Sequence, residues 1–175
     1  MRRGGIWVLT ALVGGCGGGG LSSEFATSPD ASVLTPAIKK VTLTSEGGGL
    51  GGGPCSASGV CLTGVWSYTL SLDTKRLAFT GSTLQGDPPM PVAAMADVSL
   101  TDPELQTLIA ATRAVTVSAR RECGADAPTR ELRVESATNA LTYGDDFYAC
   151  LMDHDHFVTF EGLNSLQTAF AGISP

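Results

Sequence analysis

The sequence has few positively charged residues and no cluster of them. Its 11 lysines and arginines stand against 17 aspartates and glutamates, the formal net charge is −6, and no basic run exceeds two residues. A surface that binds nucleic acid or anionic lipid needs a clustered basic face. We therefore expect no nucleic-acid partner.

The chain also lacks the sequence motifs of the common enzyme classes. It contains no G-x-S-x-G nucleophile elbow, no P-loop, no dinucleotide fingerprint and no H-E-x-x-H helix. Only two histidines are present, at positions 154 and 156. These absences argue against an enzyme, and we expect no cofactor.

The N-terminus lacks an apolar segment long enough to span a bilayer, which needs ~18 residues. A basic dipeptide at positions 2–3 is followed by the uncharged apolar stretch Ile6–Val13. Such a basic start before an apolar stretch of about 7 to 15 residues is typical of a secretory signal. Two glycines then lead directly to Cys16.

The four residues VGGC, at positions 13–16, resemble the lipobox of bacterial lipoprotein precursors. The resemblance covers the first sixteen residues alone. It implies that residues 1–15 form a cleaved signal peptide and that the Cys16 thiol carries a diacylglycerol anchor, which holds a membrane better than one acyl chain does. Gly17, in place of an aspartate, favours the outer over the inner membrane. The alternative is an ordinary secretory signal in which Cys16 is incidental.

The residues after this cysteine predict a tether followed by one domain. Residues 16–40 are rich in Gly, Ser, Thr, Pro and Ala and show no sustained strand or helix period. Such a composition buries too little apolar surface to offset the entropy lost on ordering. Residues 41–175 suffice for one modest core. We expect a flexible tether over 16–40 and a single extracytoplasmic domain over 41–175.

Four further cysteines lie in the expected domain: Cys55, Cys61, Cys123 and Cys150. An even number of cysteines in an exported chain predicts two disulfides. The short loop CSASGVC favours a local bridge between Cys55 and Cys61. The second bridge then joins Cys123 to Cys150 and stabilises the fold by about 3 kcal/mol. A four-cysteine metal site is the competing interpretation, but no paired C-x-x-C spacing supports it.

Hydrophobic periodicity predicts an α+β fold. Residues 101–115 match an amphipathic helix with a Thr101/Glu104 capping box, and 82–97 look like a proline-rich connection. We expect a mostly antiparallel, disulfide-bridged sheet of about five to six strands, with two helices packed on one face. The predicted strands and second helix are 41–44, the hairpin 65–72 and 76–81, the hairpin 131–136 and 140–144, 156–160, and the helix 162–173.

The stretch from Asp145 to His156 is dense in potential ligands. If the run DHDH is extended, its aspartates point to one face and its histidines to the other. Imidazole with carboxylate suits Zn²⁺ or another transition metal, and carboxylates alone suit Ca²⁺. The alternative is a solvated polar turn beside a disulfide. The candidate metal ligands are Asp153, His154, Asp155 and His156.

Asp145 and Asp146 also have two interpretations. The run GDD between two strand-like segments is ordinary turn chemistry, because aspartate side chains bond local amides. The same carboxyls could form an acid and base pair if a cleft separated their pKa values.

Six aromatic residues also have two interpretations. They could form a surface that binds a partner, or they could pack in the core. Partner contacts are expected mainly in the loops 47–61 and 82–97. The candidate aromatic residues are Trp66, Tyr68, Phe147, Tyr148, Phe157 and Phe160.

Two functions remain. The first is a non-enzymatic lipoprotein of the bacterial cell envelope, held by its lipid anchor, whose domain binds an envelope protein, cell-wall material or a small ligand. The second is a metal-dependent or carboxylate hydrolase that uses residues 145–156. The lipobox, the expected disulfides and the missing catalytic motifs favour the first function.

Overall fold

A computed structural model of the protein describes residues 24–46, 54–56, 59, 61–85, 90–124 and 129–173. The predicted signal peptide and Cys16 lie outside the described residues. Over the described residues the chain forms seven β-strands and two α-helices, together with a 3-10 turn at Ala149–Leu151. The elements are β1 Lys40–Glu46, β2 Thr63–Ser71, β3 Arg76–Gln85, β4 Met90–Ser99, α1 Asp102–Ala114, β5 Thr129–Glu135, β6 Ala140–Asp145, β7 Phe157–Val158 and α2 Phe160–Ile173.

The strands form one mixed sheet in the order β4-β3-β2-β1-β5-β6-β7. All neighbouring pairs are antiparallel except β6 and β7, which are parallel. The α+β class and the two helices are confirmed. The expected count of five to six strands is wrong, because the described residues contain seven.

Strand β4 begins within the segment 82–97 that is predicted to be a proline-rich connection, and the last four residues of β3 also lie in that segment. That segment has three prolines and few β-branched residues, so its strand signal is weak. The strand is at the edge of the sheet, where a proline is tolerated because one side of the strand needs no partner. Its position in the sheet therefore explains a strand that composition argues against.

Alternation along the central strands creates one apolar face. Leu43 of β1 lies in register between Tyr68 of β2 and Leu132 of β5, and all three side chains are buried. On the opposite face, the hydroxyls of Thr42 and Thr69 lie 3.2 Å apart. The sheet thus has one face for the core and one polar face.

Both helices contribute to the core on that apolar face. Helix α1 has the predicted capping box: the N–H of Thr101 donates to the Glu104 carboxylate at 2.7 Å, and the N–H of Glu104 donates to the Thr101 hydroxyl at 3.5 Å. Leu108 of α1 is fully buried in the core. In α2, the ring of Phe170 stacks on that of Tyr68, with centroids 5.4 Å apart. Neither helix is long and apolar enough to cross a membrane.

Residues 24–40 are part of the folded domain. Ala26, Val33 and Ile38 are buried in the core, and the Tyr143 hydroxyl donates a 2.6 Å hydrogen bond to the carbonyl oxygen of Ala26. The predicted tether boundary at residue 40 is therefore wrong, and the domain begins no later than Glu24. Composition missed this segment because its few apolar residues have no regular spacing, so only the tertiary fold brings each of them to the core.

The contact between Tyr143 and Ala26 predicts a stability loss at alkaline pH. Burial raises the pKa of Tyr143 to about 12. Because this pKa exceeds that of the unfolded chain, the stabilisation is complete below about pH 10 and is lost as the pH rises toward 12. We expect the free energy of unfolding to fall by about 2 kcal/mol more in the wild type than in Tyr143→Phe between about pH 8 and about pH 11.5. Urea unfolding at both pH values measures it, and equal losses in the two chains would contradict it.

Both predicted disulfides are confirmed. Cys55 is bonded to Cys61, and the N–H of Leu62 donates to the carbonyl oxygen of Pro54 at 2.9 Å beside the bridge. Cys123 is bonded to Cys150, a separation of 27 residues along the chain. This second bridge ties the segment after α1 to the 3-10 turn that follows β6.

Candidate functional site

A charged residue occupies the apolar face of β5. Arg130 shares that face with Leu132 and Val134, and it is buried. Its Nε and Nη2 atoms donate to Oδ2 of Asp145, at the end of β6, at 3.0 and 2.7 Å. Asp145 is fully buried, so the pair lies within the protein interior.

Helix α2 supplies the other partners of Arg130. The Nη1 atom donates to the side-chain oxygens of Asn164 at 2.6 Å and Gln167 at 3.4 Å. The guanidinium also lies 4.7 Å from the ring centroid of Phe160. A buried charge is costly unless it is paired and hydrogen-bonded. These contacts meet that requirement and fix α2 against the sheet.

The charge state of Asp145 reflects opposing influences. Burial raises the pKa of the Asp145 carboxyl, whereas the Arg130 guanidinium and a 3.0 Å hydrogen bond from the Phe147 N–H act against the rise. Two charged N–H donors of Arg130 on the same oxygen, Oδ2, favour an ionised carboxylate. The pair is therefore a structural ion pair at the junction of β5, β6 and α2.

Asp146 anchors the start of α2. Its Oδ1 accepts the N–H of Phe160 at 2.8 Å, and its Oδ2 accepts the hydroxyl of Ser118 at 2.6 Å. A carboxylate at a helix N-terminus satisfies an otherwise unpaired N–H and interacts favourably with the helix dipole. The GDD turn thus joins the segment after α1, the end of β6 and the start of α2.

A surface cavity of about 220 Å³ opens beside Asp146. Arg120 and Glu122 at its rim form an ion pair with each other. The volume lies below the roughly 300 to 1,000 Å³ of typical small-molecule pockets. The cavity suits a ligand of only a few atoms. Its lining residues are Arg120, Glu122, Asp146, Phe147, Phe160 and Glu161.

A second cavity, of about 250 Å³, lies between the first disulfide and the C-terminal half of α2. It is also small for an organic ligand. Gln167, which contacts Arg130, forms part of its wall. Its lining residues are Pro54, Cys55, Ser56, Gln167, Thr168, Ala171 and Gly172.

The four candidate metal ligands are on the segment before β7, where the two aspartates are exposed and the two histidines half-buried. Nε2 of His154 lies 2.8 Å from Oε1 of Glu131, while the ring of His156 faces that of Tyr143 at 6.4 Å between centroids. Within the described ranges, no three His, Cys, Asp or Glu residues form a group that could hold one metal ion. A metal site at Asp153, His154, Asp155 and His156 stays a prediction.

The candidate aromatic residues divide between the core and the first cavity. Phe147 and Phe160 are half-buried and line that cavity. The rest are buried, so they are not available as a surface for a partner. The buried members are Trp66, Tyr68, Tyr148 and Phe157.

Sequence reasoning missed Arg130 and its partners on α2. One signal was available, since a strand that places Leu132 and Val134 on its buried face must place residue 130 there too. An arginine in that position requires a buried carboxylate, and Asp145 supplies it. The identities of Asn164 and Gln167 as partners had no local signal.

No protein-family model matches the chain, and no curated protein is significantly similar to it.

Proposed function

We propose that the protein is a lipid-anchored lipoprotein of the bacterial cell envelope, whose disulfide-bridged domain serves as a binding module and not as an enzyme. One combination of features carries the proposal: the lipobox-like residues 13–16 precede a domain with two disulfides. Structural disulfides persist in oxidising compartments outside the cytoplasm. A diacylglycerol on Cys16 would hold the domain at the membrane, because two acyl chains anchor a protein stably where one does not.

The proposed destination is the outer membrane, because Gly17 replaces the aspartate that retains some lipoproteins at the inner membrane. The proposed partners are an envelope protein or a cell-wall ligand. The contacts of the two carboxylates in the candidate site argue against their use in catalysis. Asp145 is paired with Arg130, and Asp146 bonds Ser118 and the start of α2, so both carboxylates already have structural partners.

The alternative is a metal-dependent or carboxylate hydrolase that uses Asp145–His156. A carboxylate acid and base need a cleft that separates their pKa values. Asp145 is fully buried and bonded to a guanidinium, which leaves it no path to a substrate. The alternative therefore has less support than the binding module.

The anchor is tested by labelling growing bacteria with a fatty acid. We expect the wild-type chain to incorporate the label and the Cys16→Ser variant to incorporate none, because the thiol that forms the thioether is gone. The Cys55→Ser/Cys61→Ser variant is the matched control, since it also loses cysteines, and it should be labelled like the wild type. Label on Cys16→Ser, or none on the wild type, would contradict the proposed anchor.

A further inference from the structure

One edge of the sheet is covered by further chain, and the other edge is open over the described residues. At the β7 edge, Val117 bridges Val158, and the N–H of Ser118 donates to the carbonyl oxygen of Phe157 at 2.8 Å. Segment 30–33 bonds the far side of 115–117 in turn, so this edge is covered by further chain. At the other edge, β4 pairs with β3 over its full length, and nothing in the described part of the chain pairs with its open side.

The open strand β4 is uncharged and apolar over most of its length. Residues 90–96 carry no charge, and Met90, Val92 and Met95 are 62%, 41% and 78% exposed. Natural edge strands are usually blocked by lysine or other charges, by bulges or by a covering loop. The one charged residue of β4, Asp97, forms an ion pair with Arg76 of β3, with 2.8 Å between Oδ1 and Nε.

The backbone groups on the open side follow from the register. The N–H of Leu100 donates to the carbonyl oxygen of Lys75 at 2.8 Å, and β4 continues in the same register without a break. In an antiparallel pair, inward and outward N–H groups alternate. The N–H groups of Ala93, Met95, Asp97 and Ser99 therefore point away from β3, and Pro91 lacks an N–H at the fifth such position.

We propose that β4 pairs with β4 of a second copy of this chain, antiparallel and about a two-fold axis at Ala94. In this register, the outward N–H groups of Ala93 and Met95 meet the carbonyl oxygens of Met95 and Ala93 of the second copy. The N–H of Asp97 meets the carbonyl oxygen of Pro91. Every outward N–H from 91 to 97 is then satisfied, and the missing N–H of proline costs one hydrogen bond on each side.

The distribution of charge and side chains selects a second copy over a foreign strand. The axis at Ala94 places each Asp97 opposite Pro91 of the other copy, so the two negative charges do not face each other. On the apolar face of the sheet, it also places the exposed Met90 and Val92 opposite Val98 and Ala96 of the second copy. Each copy thus covers the apolar side chains that the other exposes on this face of β4.

The covered β7 edge limits the assembly to two copies. A two-fold interface uses the same surface on both chains and leaves no second open β4. Because the opposite edge of each sheet is covered, pairing cannot propagate along it into a fibre. The product is a closed dimer with one continuous sheet. This inference goes beyond the proposed function and does not depend on the lipid anchor.

Cysteine cross-linking of the full chain tests the register. Directly opposed residues that are not hydrogen-bonded to each other have Cα atoms about 4.5 Å apart, within the about 4.4 to 6.8 Å that a disulfide spans. We expect Ala94→Cys to form a disulfide-linked dimer in an oxidising compartment, seen on a non-reducing gel. Gln106→Cys, at an exposed position of α1, is the matched control and should link at least tenfold less.

The same register predicts a cross-link between two different variants. Val92→Cys and Ala96→Cys should each fail to link alone and should link when the two chains are expressed together. Equal linking by Ala94→Cys and Gln106→Cys would overturn the proposal. So would a cross-link from Ala94→Cys to a different protein, because β4 would then serve a foreign strand.

A charge on the edge tests the dimer without a cross-link. The full chain in a mild detergent should have the mass of two copies by light scattering at tens of micromolar, whereas Met95→Lys should have the mass of one. The control Gln106→Lys adds the same charge on α1 and should stay dimeric. A far-UV circular dichroism spectrum of Met95→Lys that matches the wild type would show that its fold is intact. A wild-type chain that is monomeric under these conditions would overturn the proposal.

Discussion

Replacing Arg130 with methionine should lower the free energy of unfolding by about 3 to 5 kcal/mol. The substitution leaves the Asp145 carboxylate fully buried without its guanidinium partner. It also removes the donor to Asn164 and Gln167, which hold α2 against the sheet. Urea unfolding followed by tryptophan fluorescence at neutral pH measures the loss.

Arg133→Met is the matched control for this prediction. Arg133 is on the same strand, but its side chain points to the exposed face and is half-exposed beside Glu135. An exposed pair of this kind contributes about 0 to 1 kcal/mol. A loss in Arg130→Met no larger than that in Arg133→Met would contradict a stabilising role for the buried pair.

Two further results separate an unpaired charge from a simple packing defect. Arg130→Met/Asp145→Leu should recover most of the lost stability, because replacing both members of a buried ion pair is often nearly neutral.

In Arg130→Met alone, the folded pKa of Asp145 lies above its unfolded value. The stability of that variant is therefore retained at low pH and lost as the pH rises through the folded pKa. Its deficit against the wild type should shrink toward about pH 4.

Loss of the second disulfide should have the next largest effect. In Cys123→Ser/Cys150→Ser the free energy of unfolding should fall by about 3 to 4 kcal/mol, because this bridge joins cysteines 27 positions apart in the chain. In Cys55→Ser/Cys61→Ser it should fall by about 2 kcal/mol, because that bridge joins cysteines only six positions apart. Urea unfolding of both variants measures the difference, and an equal or reversed order would contradict the loop-length argument.

Local signals in the sequence predicted their elements well. The capping box of Thr101 and Glu104 predicted the start of α1 because both partners lie within one helical turn. The alternation over 65–72 predicted β2, and the short loop between Cys55 and Cys61 predicted their bridge. In each case the residues that interact are close together in the chain, so spacing alone carries the information.

The errors concern features that depend on distant residues. Strand β4 is stabilised by its pairing with β3, although its own alanines and its one proline disfavour a strand. Val33 and Ile38 have no helical or strand period, and their burial depends on the core they meet. Arg130 lies 15 residues before Asp145 and 34 before Asn164, and no sequence rule links such separations.

Because residues 24–40 fold onto the domain, fewer residues connect the proposed lipid anchor to the domain. Under the proposed anchoring, only eight peptide units separate Cys16 from Glu24, a reach of at most about 29 Å when fully extended. The tether predicted over residues 16–40, which has 25 residues, would have reached roughly three times as far. Under that proposal the domain would be confined to a thin layer of solvent beside its membrane, where copies would meet at a high effective concentration. Partners anchored in the opposite membrane would fall outside that layer unless they themselves extend toward it.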